Sequence, residues 1–413
     1  MRSQLFGGAA LLFSISVAAA NPVTEIGGDA PAAQLALTNP AEYAWQVFLF
    51  VNHPALSGVA GKADGALNLG DATDKSVVWE TWAQESGQRT NTSEVYLPKG
   101  VKPSEWKDLK RGGGARLLSL DPSAERAAFL AAGNPFGQIT PFFVEGEALS
   151  QEVRINEAGF TFIRDQGMFS KEGLEALYKA ARAATPKRES ISFPAGTKEI
   201  KAQWLPIKDA DKGRYLWRTA RVDGKDVTYG LVSLHIITKD LPMWVWIDFG
   251  HRDCEEAKGA CDNGWLAQNL TPKQQKALLP QEPALTTPVD PTVPTGSVRP
   301  EVKGTVWENY LLRGVQTAYT TQYGLPTVLS NPVIENGFQN SSCMSCHSRA
   351  SVGPHFIGNK VNALATGDPT LGPPDPALFG AGPGFGTPDL LAYLQTDFVW
   401  SAPFRAQPVD PSK

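Results

Sequence analysis

Cysteine is scarce in this chain: four residues in 413, confined to two close pairs, Cys254 with Cys261 and Cys343 with Cys346. Four thiols cannot frame a fold of this size, so a disulfide scaffold is excluded and each pair needs its own chemistry. No block of Lys or Arg occurs, and the net charge of −4 argues against nucleic acid as a partner. Beyond the first residues no long apolar run exists. The longest, Val47 to Val51, falls far short of the about 20 apolar residues a membrane span requires, so no span is expected in the mature chain. The apolar share of 42% is ordinary for a globular protein, and the length allows one large domain or two. The 11 Trp sit mostly in strand-like stretches and point to core packing.

The N-terminus reads as an export signal. Arg2 supplies a positive start, Leu5 to Val17 an apolar run, and Ala18-Ala19-Ala20 the small residues before a cleavage site, with Asn21 as the mature start. Residues 1–20 are therefore expected to be a cleaved signal peptide and the mature protein periplasmic and soluble.

In the mature chain, Asn39-Pro40-Ala41-Glu42 predicts a helix start with Asn39 as cap and Glu42 completing a capping box. Leu174, Leu177, Tyr178 and Ala181 recur at helical spacing behind Ser170, and Thr271-Pro272-Lys273-Gln274 opens a shorter helix. Ser76 to Trp82 and Glu94 to Leu97 read as paired strands. Asp223-Gly224 between Trp217–Val222 and Val227–Ile237 is the strongest hairpin signal, and Trp244, Trp246 and Ile247 continue the β character. Helices and strands are mixed without regular alternation, which predicts an α+β fold with an antiparallel, β-rich part and flanking helices. That region spans 21–279. Residues 280–300, with six prolines, predict a linker or surface strap. Residues 301–413 form a mainly helical or irregular segment expected to pack on the rest as one unit, with a helical pattern from Thr305 to Thr320 and a Pro/Gly-rich stretch from Gly367 to Gly386.

Chemistry concentrates in that last segment. Cys343-Met344-Ser345-Cys346-His347 is a C-x-x-C-H motif. One turn of chain sets two thiols for thioether links to haem vinyl groups and projects the next His to the iron as proximal ligand. Asn340, Ser341 or Ser342 would cap the short helix that carries it. The expected cofactor is one covalent haem c, bound by Cys343, Cys346 and His347, with His347 on the metal. Two other readings stay open: a redox dithiol, and half of a zinc site completed by Cys254 and Cys261. Cys254 and Cys261 are otherwise expected to form a disulfide closing a small exposed loop.

No Met follows position 344, so the usual downstream axial Met is absent. Candidates for the sixth position are Met168, Met243, His53, His235, His251, His355, another donor, or none. The stretch His235 to His251 is the densest cluster, which makes His251 and His235 the distal candidates, with Arg252 or Lys239 as cationic helpers.

Ala44-Trp45-Gln46-Val47-Phe48, Val78-Trp79-Glu80-Thr81-Trp82, the His235–His251 stretch, the residues around Cys343 and Asp397-Phe398-Val399-Trp400-Ser401 together resemble a bacterial family of large, periplasmic, single-haem c-type cytochromes. The resemblance spans most of the mature chain and implies a haem built into a large fold. It implies no particular reaction. Its pattern has Glu before the residue matching His251, where this chain has Gly250, which weakens a catalytic role there. Two functions follow as expectations. One is electron transfer with a periplasmic redox partner protein. The other is a haem-dependent oxidoreductase, peroxidase- or oxidase-like, acting on peroxide or a small oxidisable substrate through an open distal site. A haem-based sensor ranks below both, for want of an output segment.

Overall fold

Asn39 starts a helix as its neighbours dictate. Its side chain accepts the Glu42 N–H at 3.2 Å, and α2 runs Pro40–Val51. The other half of the expected capping box does not form, because α1 (Ala30–Thr38) ends on the same residue and Leu35 O already takes the Asn39 N–H. The Glu42 carboxylate turns instead to Arg299 and Gln46.

The computed structural model describes residues 23–71, 73–85, 93–109, 117–118, 150–222, 225–255, 299–321, 323–329, 331, 342–353, 372–374, 376, 379 and 393–409. The fold is α+β. Seven strands form an antiparallel sheet: β1 (Ala83–Gln84), β3 (Ser150–Ile155), β4 (Lys198–Pro206), β5 (Trp217–Val222), β6 (Lys225–Thr238), β7 (Val245–His251) and β8 (Tyr310–Gln316). A short β2 (Leu117–Leu118) adds to β5 in parallel. The long β6 organises the sheet: β4 lines one side of it, while β5 and then β7 share the other. The β5–β6 hairpin forms as expected, with Val222 opposite Lys225; the intervening Asp223-Gly224 lies outside the described residues.

The two sheet faces bury different cores. Ile200, Leu234, Ile236, Val245, Ile247 and Phe249 face α1 and α2, where Phe48 stacks on Phe249 at 4.1 Å. Burying each such side chain contributes about 1.5–3 kcal/mol. Ile155, Ile237 and Trp246 face the other way, against α3 (Glu157–Asp165), α4 (Lys171–Ala183), Met344 and the 394–406 segment. Ser170 caps α4, as the sequence predicts.

Two expectations fail for physical reasons. Val78–Thr81 is a 3-10 turn, not a strand, because Glu80 folds back to accept the Val77 N–H at 2.9 Å and pairs with the buried Arg218. Glu94 to Leu97 makes no strand either, although the Glu94 N–H donates to Gln84 O. The Thr305–Thr320 pattern is a 3-10 turn at Val306–Asn309 followed by β8, since pairing along β7 satisfies this backbone better than a helix. The helix expected at Thr271, most of 280–300 and residues 1–20 lie outside the described residues. No helix among the described residues is long and apolar enough to cross a membrane.

Candidate functional site

The C-x-x-C-H motif folds as a single helical turn, α6 (Cys343–His347), following the 252–255 helix α5 in order. Ser342 caps it, its Oγ accepting the Ser345 N–H at 3.1 Å. One turn of helix brings residues three and four apart to the same side. Cys343, Cys346 and His347 accordingly keep part of their surface accessible, while Met344 and Ser345 sink into the core. Neither thiol is tied up in a disulfide, and Cys343 Sγ donates to Leu329 O at 3.1 Å.

Three elements clamp this turn. From β8, Gln316 donates to Ser342 Oγ at 2.7 Å and accepts the Met344 N–H at 3.1 Å. From the C-terminal segment, Trp400 Nε1 donates to Cys346 O at 3.1 Å and Gln395 Nε2 to Ser348 O at 2.6 Å. Gly372 N–H donates to Ser345 Oγ. Gln316→Leu is expected to cost about 2 kcal/mol, since it strands the buried Met344 N–H and takes one donor from Ser342 Oγ; thermal or urea unfolding measures it.

His347 is set in one tautomer. Its Nδ1 lies 2.8 Å from the Phe398 carbonyl, which can only accept, so Nδ1 carries the proton and Nε2 keeps its lone pair. Burial pushes its pKa down to about 3, against the Phe398 bond and with help from the charges of Lys201 and His235. The imidazole is therefore neutral at neutral pH, the state that binds a metal.

The carbonyl reaches His347 through an unusual turn. Asp397 and Phe398 both hold left-handed backbone, at φ 50 and 69 degrees, which costs non-glycine residues about 1–3 kcal/mol each. Asp397 staples that turn: it accepts the Phe193 N–H and the Lys239 ammonium, each at 2.6 Å, in a buried pair. Trp246 from β7 completes the setting, its ring 4.6 Å from that of His347.

Of the distal candidates, His235 comes near and His251 does not. His251 ends β7 five residues beyond Trp246, roughly 16 Å along the strand. Its Nε2 lies 3.1 Å from Arg214 O, its Nδ1 accepts the Asp253 N–H, and Tyr215 stacks on it at 3.8 Å. Burial lowers its pKa to about 4. In that geometry His251 is a packed, hydrogen-bonded residue. His235 lies opposite Asp248 in the β6–β7 ladder, with Nε2 3.2 Å from Oδ1. Arg313 and Asn331 also donate to Asp248, and these partners hold its carboxyl below the usual range although burial works upward.

Neither cationic helper stands over a distal site: Lys239 is the staple's ammonium, and Arg252 donates to Glu308 O. Met168 is fully buried in the second core, His53 binds Pro54 O, and Met243 sits exposed in the turn before β7. His355 and Cys261 lie outside the described residues. Cys254, on α5 (Arg252–Glu255), is not a free thiol and lies beyond His251, away from the motif, so it offers no help to a zinc site there. Among the described residues no group of three His, Cys, Asp or Glu side chains converges on a possible metal position. Two thiols outside any disulfide and one neutral imidazole on a single turn are a donor set that would suit a covalently tethered haem.

Sequence reasoning missed Gln316, and missed the roles of Phe398 and Trp246. The 397–401 patch stands out as a pattern, but a backbone carbonyl leaves no residue-type signal. No family model matches the chain, and neither a curated protein nor a solved structure is significantly similar to it.

Proposed function

We propose that this chain is an exported c-type cytochrome that carries one haem and passes single electrons to and from a periplasmic redox protein. The observation that carries the reading is the 2.8 Å bond from His347 Nδ1 to Phe398 O, on the same turn as two thiols outside any disulfide. That bond fixes the neutral tautomer and leaves the Nε2 lone pair for a metal, as the outer partner of a metal-binding histidine does. Cys343 and Cys346 would tether the group, each S–H adding across one vinyl double bond with no atom lost, and His347 would ligate its iron. A haem held in this way supplies a one-electron couple. The N-terminal signal accounts for delivery of thiols to the compartment where such links form. The same reading puts the chain with the large single-haem periplasmic cytochromes it resembles.

Trp246 favours electron transfer. It packs on His347, and its Nε1 donates to Met243 O at 3.1 Å, in a turn where the Met243 side chain is 39% exposed. A few bonds thus connect the imidazole with the surface a partner would touch.

Mature protein from cells that assemble c-type cytochromes is expected to be red and to keep its pigment through denaturation and acid-acetone extraction. Its spectrum is expected to be six-coordinate and low-spin, indifferent to carbon monoxide and cyanide. Colourless protein overturns the reading. A high-spin pigment that binds either ligand rapidly replaces the electron carrier with a haem enzyme.

A further inference from the structure

Two carboxylates are buried on the sheet face that carries the motif without the partners such groups need. Glu85 follows β1 and Glu199 lies on β4, at 1% and 8% exposure. Each leaves its Oε2 buried with no hydrogen-bond partner among the described residues. Glu85 Oε1 accepts the Ser401 hydroxyl at 3.2 Å, and that hydroxyl lies 3.0 Å from Tyr96 OH. Among the described residues, the charged groups facing the pair are Arg405 from α7 (Ser401–Arg405) and Lys201 from β4, with Tyr96 as a titratable neighbour. Burial raises both carboxyls, repulsion between them raises Glu85 further, and Arg405 opposes, leaving Glu199 at about 7. Two carboxylates that repel in a dry interior do not both ionise; one proton between them relieves the repulsion and gives an orphaned oxygen a hydrogen.

The pair is also tied to the motif by structure. Glu199, Ile237 and Trp246 occupy one row of the β4–β6–β7 ladder, which sets Glu199 two strands, roughly 10 Å, from the residue that packs on His347. Ser401 and Arg405 follow directly on the turn whose Phe398 carbonyl holds His347. Charge at either place is felt at the other across this interior.

We propose that Glu85 and Glu199 form one proton-holding site coupled to the redox centre. The inference rests on the cytochrome reading. When a donor protein delivers one electron to the centre, the pair takes one proton from solvent; when the electron leaves, the proton returns to solvent. Positive charge gained beside the centre offsets the negative charge that the electron brings.

Potentiometric titration of the intact haem protein across pH 5 to 9 tests this. The midpoint is expected to fall as pH rises through neutrality, with a slope approaching one proton per electron. Glu199→Gln and Glu85→Gln should each flatten that slope. Reduction should also produce a protonated-carboxyl band in infrared difference spectra, absent in Glu199→Gln. Thermal melts give a readout independent of the centre. A carboxyl whose pKa is raised on folding destabilises the fold once ionised, so melting temperature should fall as pH rises from about 4.5 through 7. Glu199→Gln should remove that fall. A midpoint independent of pH, or a slope that both Gln variants retain, overturns the coupling. Colourless protein whose melts still show the fall overturns the coupling with the cytochrome reading but leaves the proton-holding pair; melts without the fall overturn the pair itself.

Discussion

Replacing Cys343 and Cys346 together with Ala is expected to abolish covalent pigment while leaving the fold in place, because Cys343 Sγ loses its bond to Leu329 O but the cap and clamps of the turn remain. The turn is built by Ser342, Gln316 and Trp400, whose bonds run to backbone and hydroxyl groups and not to sulfur. His347→Ala separates tether from ligation. Both thioethers can still form, but the lone pair that Phe398 holds in place is gone. Removing even an outer partner of a metal-binding His weakens a metal site about 10- to 100-fold, so losing the imidazole itself should lower recovered low-spin pigment by at least about tenfold. Haem staining after denaturation counts the tethers, and the visible spectrum of the native protein reports the ligand. Unchanged pigment in the double Cys variant, or an unchanged spectrum in His347→Ala, would contradict these assignments.

The second large effect falls on a residue far from the motif in sequence. Asp397→Ala is expected to destabilise the protein by about 3–5 kcal/mol, the cost of breaking a buried ion pair from one side. Lys239 would be left charged in the interior, and the Phe193 N–H would lose its acceptor. The left-handed turn at Asp397 and Phe398 would relax, and with it the hold on His347. Lys239→Met combined with Asp397→Asn should regain most of the loss, since the amide oxygen still serves Phe193 and no stranded charge remains. Urea unfolding of the single and double variants measures both. A single variant as stable as the parent would show that the turn does not depend on its staple.

These features were unequally visible beforehand. Local signals carried well: Ser170 and Asn39 cap helices because their side chains satisfy nearby N–H groups, whatever the rest of the chain does. The motif is also local, and Ser342, one of the three polar residues just ahead of it, caps its turn. Strand β8 was not legible, since Trp307, Tyr310, Leu311 and Val315 fit a helical period as well as they fit a strand. The choice was made by β7, a partner distant in sequence. Glu80 misled for a similar reason: Val78-Trp79-Glu80-Thr81-Trp82 has the β-branched and aromatic content of a strand, but Arg218 draws the Glu80 carboxylate inward. His251 looked functional because it stood in a cluster of donors. A strand separates its residues by a fixed rise, so nearness in sequence carried it away from His347.

Strand β8 lies on the far side of the Pro-rich stretch from the rest of its sheet, and this limits how the protein can be divided. Cutting near residue 299 would not release a self-sufficient pigment module, because the Trp246 wall would part company with His347 and the strand that carries Gln316 would lose β7. The larger fragment would fare no better. Its β7 would present an open row of amides, the kind of edge that recruits foreign strands and precipitates. Tags or fusion partners therefore belong outside this stretch, beyond the C-terminal segment that packs on the turn.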